Sequence, residues 1–222
     1  MPHARARLPL PRRLAAAAAG AALAAAATKH ATRRAACANA GGAVKEKATG
    51  VEFAEKMGNL TCVGAGVRAK AIGGVVKVKV YAVALYVDAN GAKATPGAAD
   101  DLMKGKYDRT VAIQLVRDVG SDTFWNALAD ALQPRMGKAA FETSDASKKL
   151  RSFFQSAGKL SKGARVTLAW RGGGSELHVS ANGTSACIHG AALTRALFGV
   201  YLGEGAIAPA AKQSFAAGVR AL

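Results

Sequence analysis

The chain has 222 residues, half of them hydrophobic, 20% charged and 6% aromatic, enough for one domain whose core needs neither disulfides nor a metal to fold. Its three cysteines (Cys37, Cys62, Cys187) and four histidines (His3, His30, His178, His189) show no C-x-x-C or Cys/His ligand spacing, which argues against a disulfide framework and a structural zinc site. The net charge of +17 is uneven: eight of the 31 basic residues precede the first acid, Glu46, leaving 23 against 14 acids with no basic run longer than two, a solvated surface rather than a nucleic-acid footprint.

Residues 1–45 read as a targeting segment. They are rich in Ala and Arg, lack acids and carry no core-forming pattern, the composition of an organelle transit peptide. Arg12-Arg13 followed by the apolar run Leu14–Ala27 also resembles a twin-arginine export signal, but a second basic stretch, Lys29 to Arg34, follows it. The run is mostly Ala and too short to span a bilayer, so no stable membrane insertion is expected. The plastid stroma is the expected location, with mitochondrion, thylakoid lumen and bacterial periplasm as alternatives. Residues 46–222 then form a single domain.

Leu60–Arg68 is apolar with small residues, and Gly73-Gly74 supplies a hairpin turn before the strand Val75–Val87, where Val76, Val78 and Val80 alternate with Lys77, Lys79 and Tyr81. Gly64-Ala65-Gly66 lacks the third glycine and following helix of a nucleotide fingerprint; it reads as a place where another segment approaches the strand closely. Asn90-Gly91 marks a turn, and Asp108–Arg117 alternates as a further strand. Ser121 is placed as the cap of a helix carrying Phe124, Leu128 and Leu132 at spacing four, stopped by Pro134. A second helix spans Ser144–Gln155, with Leu150, Phe153 and Phe154 on its apolar side. Arg165–Trp170 and Glu176–Ser180 flank Gly172-Gly173-Gly174 as another hairpin. The C-terminal part is helical: Leu193, Leu197, Val200 and Tyr201 share a face that ends at Gly203. Pro209 opens a last helix with Phe215, Val219 and Leu222 as its buried stripe. The order gives an α+β class, helices covering one face of an antiparallel sheet.

Chemical motifs are scarce. There is no G-x-S-x-G elbow, no evident Cys–His pairing and no carboxylate pair; His178 and His189 read as structural, and no cofactor or metal is expected. One polar pair stands out. Arg68 and Tyr81 flank the Gly73-Gly74 turn. With Gly73-Gly74 as a two-residue loop, Arg68 faces Lys79 and Tyr81 is diagonal to it; with Gly74-Val75, Arg68 and Tyr81 are opposite. Either register puts both on one face. A guanidinium fork beside a phenol hydroxyl suits a carboxylate.

Thr49–Phe53 (TGVEF), GAGVRAK at 64–70, VKVYAVALYVD at 78–88 and ALTRALFGVYLGEGAIAPAAK at 192–212 together resemble the chalcone isomerase-like superfamily over roughly residues 49–222, and within it the plastid fatty-acid-binding branch. The resemblance implies an open-faced β-sandwich, an antiparallel sheet with helices packed on one face and a ligand between the layers. It also implies that Arg68 and Tyr81, thirteen residues apart as in that branch, hold a fatty-acid carboxylate. Thr194 falls where the enzymes of the family carry a Ser or Thr on a late helix, and is carried over as a ligand-binding residue. The enzymes have Thr at the position of Tyr81 and a Tyr–Asn pair seven residues apart near the start of the mid-chain helix. Here Gly120 to Ala127 (GSDTFWNA) offers only Asn126, one residue out of register. No catalytic residue is assigned. The expected partner is a fatty acid or other small apolar carboxylate, with Val83, Leu128, Leu193 and Leu197 as candidate tail-lining residues. Chalcone–flavanone isomerisation, or a non-catalytic accessory role beside a partner enzyme, are the alternatives.

Overall fold

A computed structural model describes residues 42–72 and 76–222. The targeting reading of the N-terminus, with Cys37, His3 and His30, and the Gly73-Gly74 turn lie outside the described residues. Strands β1 (Ala43–Lys45) and β2 (Glu52–Ala54) pair as a small ribbon, so pairing begins ahead of Glu46. The main sheet has seven antiparallel strands in chain order: β3 (Lys56–Met57), β4 (Leu60–Ile72), β5 (Val76–Val87), β6 (Arg109–Leu115), β7 (Arg165–Trp170), β8 (Glu176–Ala181) and β9 (Thr184–His189). Helices α1 (Ala89–Lys93), α2 (Ser121–Met136), α3 (Lys138–Thr143), α4 (Asp145–Ala157), α5 (Ala191–Leu202) and α6 (Pro209–Arg220) complete the domain.

Strand alternation sorts the side chains into two layers. Tyr81, Val83, Leu85 and Val87 of β5 point into the main core with Phe124, Leu128, Leu132, Leu150, Phe154, Leu197 and Phe215 of the helices. Each such large apolar side chain contributes roughly 1.5–3 kcal/mol on full burial. On the other face, Ala82, Ala84 and Tyr86 of β5 and Ala112 of β6 pack with Leu60 and with Phe53 of the β1–β2 ribbon. The Tyr86 hydroxyl donates to the Ala54 carbonyl at 2.9 Å, fixing β2 on that face. The α+β class, with helices on one face of an antiparallel sheet, is as expected.

The glycines of β4 do what the sequence suggests. A Cβ on Gly66 would lie 2.6 Å from the Ala211 Cα, one on Gly64 2.8 Å from the Ser214 carbonyl oxygen, and one on Gly218 1.5 Å from the Val63 carbonyl oxygen. Helix α6 therefore lies backbone-to-backbone on β4, an approach that only residues without a Cβ permit.

Several local expectations are corrected. Asn90-Gly91 is not a bare turn but sits in the short helix α1, because the Asp88 carboxylate accepts from the Asn90 and Gly91 amides and nucleates a helical turn. The N-cap of α2 is Gly120, with Ser121 its first residue, and Pro134 does not stop it. A proline two residues from the end removes a single N–H, and α2 runs on to Met136 before Gly137, at φ +83°, ends it. Ser144 caps α4 as its own side chain accepts from the Ser147 amide at 3.2 Å. Strand β9 was not anticipated; it returns from β8 through Asn182-Gly183, whose φ values of 48° and 79° suit the tight turn of a twisted hairpin.

Arg109, at the start of β6, is a fully buried arginine. Its guanidinium donates to the carbonyls of Leu102, Lys104 and Gly105, each at 3.0 Å, and lies 4.0 Å above the Tyr107 ring. It holds the 102–105 segment against the sheet.

Candidate functional site

The Arg68–Tyr81 pairing depends on an irregularity. From Ile72 opposite Val76 to Ala69 opposite Lys79 the paired numbers sum to 148, so neither two-residue loop register holds. Continued unchanged, that register would set Arg68 opposite Val80 and turn Tyr81 to the far face. A β-bulge at Val80 inserts one residue, and Arg68 and Tyr81 become direct partners. Lys79 then remains on the outer face, donating its ammonium to the Ala48 carbonyl, while Tyr81 joins the main core at 7% exposure. Tyr81 thus belongs to the valine face and not, as the simple alternation suggested, to the lysine face.

Gly64, Gly66 and Arg68 share one face of β4, opposite Leu85, Val83 and Tyr81. Helix α6 covers the two glycines, and Arg68 is the next residue in that row, level with the start of the helix. Its side chain is half-buried, with one terminal nitrogen donating to the Ala69 carbonyl at 2.7 Å and a further bond directed at Tyr81; of its five N–H groups, those left over can address a ligand.

Tyr81 is enclosed by aromatic neighbours. The Phe124 ring lies 6.5 Å from its ring, and Phe154 lies 5.0 Å beyond Phe124. Burial raises the Tyr81 phenol above its ordinary value, while hydrogen bonding with Tyr201 and the charge of Arg68 oppose the rise. Tyr201, on α5, is held well above the ordinary value by burial first, and then by Tyr81. Both phenols are therefore neutral near pH 7, so that a hydroxyl of the pair can donate a hydrogen bond to an anion without contributing charge. Arg68 supplies the positive charge of this group.

Helical spacing alone assigns Tyr201 only to an apolar helix face. The available signal was a hydroxyl-bearing residue within that stripe (Leu193, Leu197, Tyr201), since a buried tyrosine hydroxyl needs a partner.

Thr194 is not brought to this group. It is fully buried two turns before Tyr201 on α5, about 10 Å along the helix axis. Its hydroxyl donates to the Gly190 carbonyl at 2.9 Å and reaches Ser175 at 3.3 Å. Val83, Leu128, Leu193 and Leu197 are all core residues between sheet and helices. Phe124 occupies the place beside Tyr81, while Asn126 lies on the exposed side of α2.

A separate surface groove of about 460 Å³ runs between the end of α2 and the outer side of α5, lined by Met103, Met136, Arg195 and Gly199 among others. It includes neither Arg68 nor Tyr81. Its other arginine, Arg135, is held by the Ala131, Glu204 and Gly205 carbonyls.

His178 and His189, read as structural, lie at the surface of the sheet, their side chains 46% and 67% exposed. A Cys–His pairing does exist, since Cys187 stands directly opposite His178 across β8 and β9. Strand pairing, not a loop motif, brings these groups together, which is why no spacing revealed it. Among the described residues no helix is long and apolar enough to cross a membrane.

A family model described as chalcone isomerase-like matches residues 45–214. No curated protein matches the chain. Among solved structures, a crystal structure of a fatty-acid binding protein from Arabidopsis thaliana superposes with a TM-score of 0.69 at 24% identity, covering 80% of this chain and 97% of that one. This likeness shows a shared fold, and the family model spans most of the domain: the chain belongs to the chalcone isomerase-like family.

Proposed function

We propose that this protein binds a long-chain free fatty acid, with the carboxylate on Arg68 and Tyr81 and the tail between sheet and helices, in the service of plastid fatty-acid metabolism. The observation that carries this reading is the bulge at Val80, which sets a half-buried guanidinium beside a buried neutral phenol on the face covered by helices. Tyr201 supports the phenol from α5. The superposed Arabidopsis protein is a fatty-acid binding protein, which agrees with the reading.

The energetics divide between tail and head. A chain of about 16 carbons that buries most of its methylenes gains on the order of 10 kcal/mol. Association and chain ordering remove several kcal/mol, leaving micromolar or tighter binding. The head group acts as the selector: a carboxylate taken from water without a partner costs several kcal/mol, so Arg68 is what admits an acid. The tail follows α5 from Tyr201 past Leu197 and Val83 towards Leu193, with Leu128 opposite and Thr194 as a contact along its path rather than at the head. Because these side chains already pack together, loading draws α5 away from the sheet.

Phe124 beside Tyr81 and the outward Asn126 favour binding over isomerisation, which needs polar groups to place a reacting phenolate and its water. The test is native mass spectrometry of the full chain. Co-purified free fatty acid, or stoichiometric uptake of added palmitate, supports the proposal. A protein that arrives without lipid and refuses palmitate contradicts it and favours the accessory role; enzyme-dependent loss of chalcone absorbance would restore the isomerase.

A further inference from the structure

The last two strands of the sheet carry an arrangement that the proposed lipid site does not use. The Asn182-Gly183 turn sets the β8–β9 register so that His178 is opposite Cys187 and Glu176 is opposite His189. Side chains two apart on one strand share a face, so these four residues form two adjacent cross-strand pairs on one patch. The alternate residues Leu177, Val179 and Ile188 point into the core and anchor the patch from below.

The donor atoms converge. Glu176 Oε2 is 3.5 Å from His178 Nε2, Glu176 Oε1 is 3.6 Å from His189 Nδ1, and Cys187 Sγ is 4.0 Å from His178 Nε2. One donor atom each from Glu176, His178 and Cys187 lies within 4.8 Å of the other two. The Glu–His separations exceed an ordinary hydrogen bond of 2.7–3.2 Å. They are close to the edges of a tetrahedron around zinc, roughly 3.3–3.8 Å for bond lengths of about 2.0–2.3 Å.

We infer that Glu176, His178 and Cys187, with His189 beside them, form a binding site for a borderline divalent transition-metal ion such as zinc on the exposed face of the β8–β9 hairpin. The donor set selects the ion class: imidazole and thiolate favour zinc and its neighbours over magnesium or calcium, which want oxygen ligands. Three protein donors leave a fourth position for His189 or for water. The side chains of Glu176 and His178 are nearly half exposed, so the ion does not hold the fold together.

The test uses the full chain, freed of metal and titrated with zinc by calorimetry, alongside cobalt(II) as an absorbing probe. The expected result is one site per chain and a thiolate-to-cobalt charge-transfer band. Cys187→Ser should abolish that band, and Cys187→Ser and His178→Ala should each weaken zinc at least tenfold with unchanged circular dichroism and melting temperature. Cys37→Ser and Cys62→Ser should leave both readouts as they are. Absence of zinc binding, a cobalt band that survives Cys187→Ser, or zinc affinity that survives both Cys187→Ser and His178→Ala would overturn the assignment. None of these outcomes depends on fatty-acid binding.

Discussion

Gly218→Ala and Gly199→Ala are the same substitution in the C-terminal halves of two helices, α6 and α5, yet they should change stability in opposite directions. Helix propensity favours alanine by about 0.8–1 kcal/mol within a helix and by less in the last turn, where Gly218 lies. At Gly199 the new Cβ meets the Arg135 Cδ at 3.6 Å and Nε at 3.7 Å, ordinary contacts with a flexible side chain, so the propensity gain survives. At Gly218 the Cβ would stand 1.5 Å from the Val63 carbonyl oxygen and 2.4 Å from its carbon. No rotamer relieves a contact with backbone. Either α6 lifts by about 1.5–2 Å, losing contact along the whole Gly64–Gly66 seam, or β4 bends. Overpacking of this kind costs typically 1–3 kcal/mol and sometimes more, which outweighs the propensity gain. For a domain of this size each kcal/mol moves the melting temperature by about 2–4 °C. Calorimetric melts should therefore place Gly199→Ala about 2–4 °C above the parent and Gly218→Ala several degrees below it. A Gly218→Ala variant that melts at or above the parent would refute the backbone-to-backbone seating of α6.

Arg109→Lys should lower stability by about 2 kcal/mol or more in urea unfolding, since an ammonium cannot serve the Leu102, Lys104 and Gly105 carbonyls in the geometry of the guanidinium fork; parental stability would show that these bonds contribute little. Burial pushes the Glu46 carboxyl up, but bonds from the Thr49 hydroxyl and the Ala48 and Thr49 amides, with the Lys79 charge, outweigh it and hold the group below its ordinary 4.5. Its contribution is therefore complete above about pH 4.5 and is lost as pH falls through the lower folded value. Melting temperature against pH should drop more steeply below pH 4.5 in the parent than in Glu46→Gln, and parallel curves would contradict that account. Tyr201→Phe removes the hydroxyl that supports Tyr81; palmitate affinity should fall a few-fold with the fold retained, and an unchanged affinity would remove Tyr201 from the head-group site.

Much of this architecture was legible from residue order because it rests on local rules. Spacing-four stripes such as Phe124–Leu128–Leu132 predicted buried helix faces, and all three are in the core. Gly64-Ala65-Gly66 was legible as a close-approach site because glycine in a strand has few other uses. What escaped was set by register. The bulge at Val80 leaves a trace in the sequence, a break in the alternation where Val78 and Val80 are followed by Tyr81, Val83 and Leu85, but a one-residue phase slip has no meaning until pairing is known. The patch on β8 and β9 escaped for a related reason: Asn182-Gly183 is a strong hairpin turn, and once it is read as one, positions 178 and 187 must meet. Thr194 matched a family position; the structure buries it two turns before Tyr201, with its hydroxyl on the Gly190 carbonyl, which no spacing in the sequence could show.

The central claim is that a guanidinium selects an acid-headed lipid, and titration calorimetry with palmitate and its methyl ester, on the parent and on Arg68→Ala, tests it most directly. The parent should prefer the acid over the ester by at least about tenfold, or about 1.4 kcal/mol. Arg68→Ala should lose that preference while keeping its melting temperature. If the variant binds palmitate as tightly as the parent, or the parent takes acid and ester alike, the carboxylate is not read by Arg68 and the account fails.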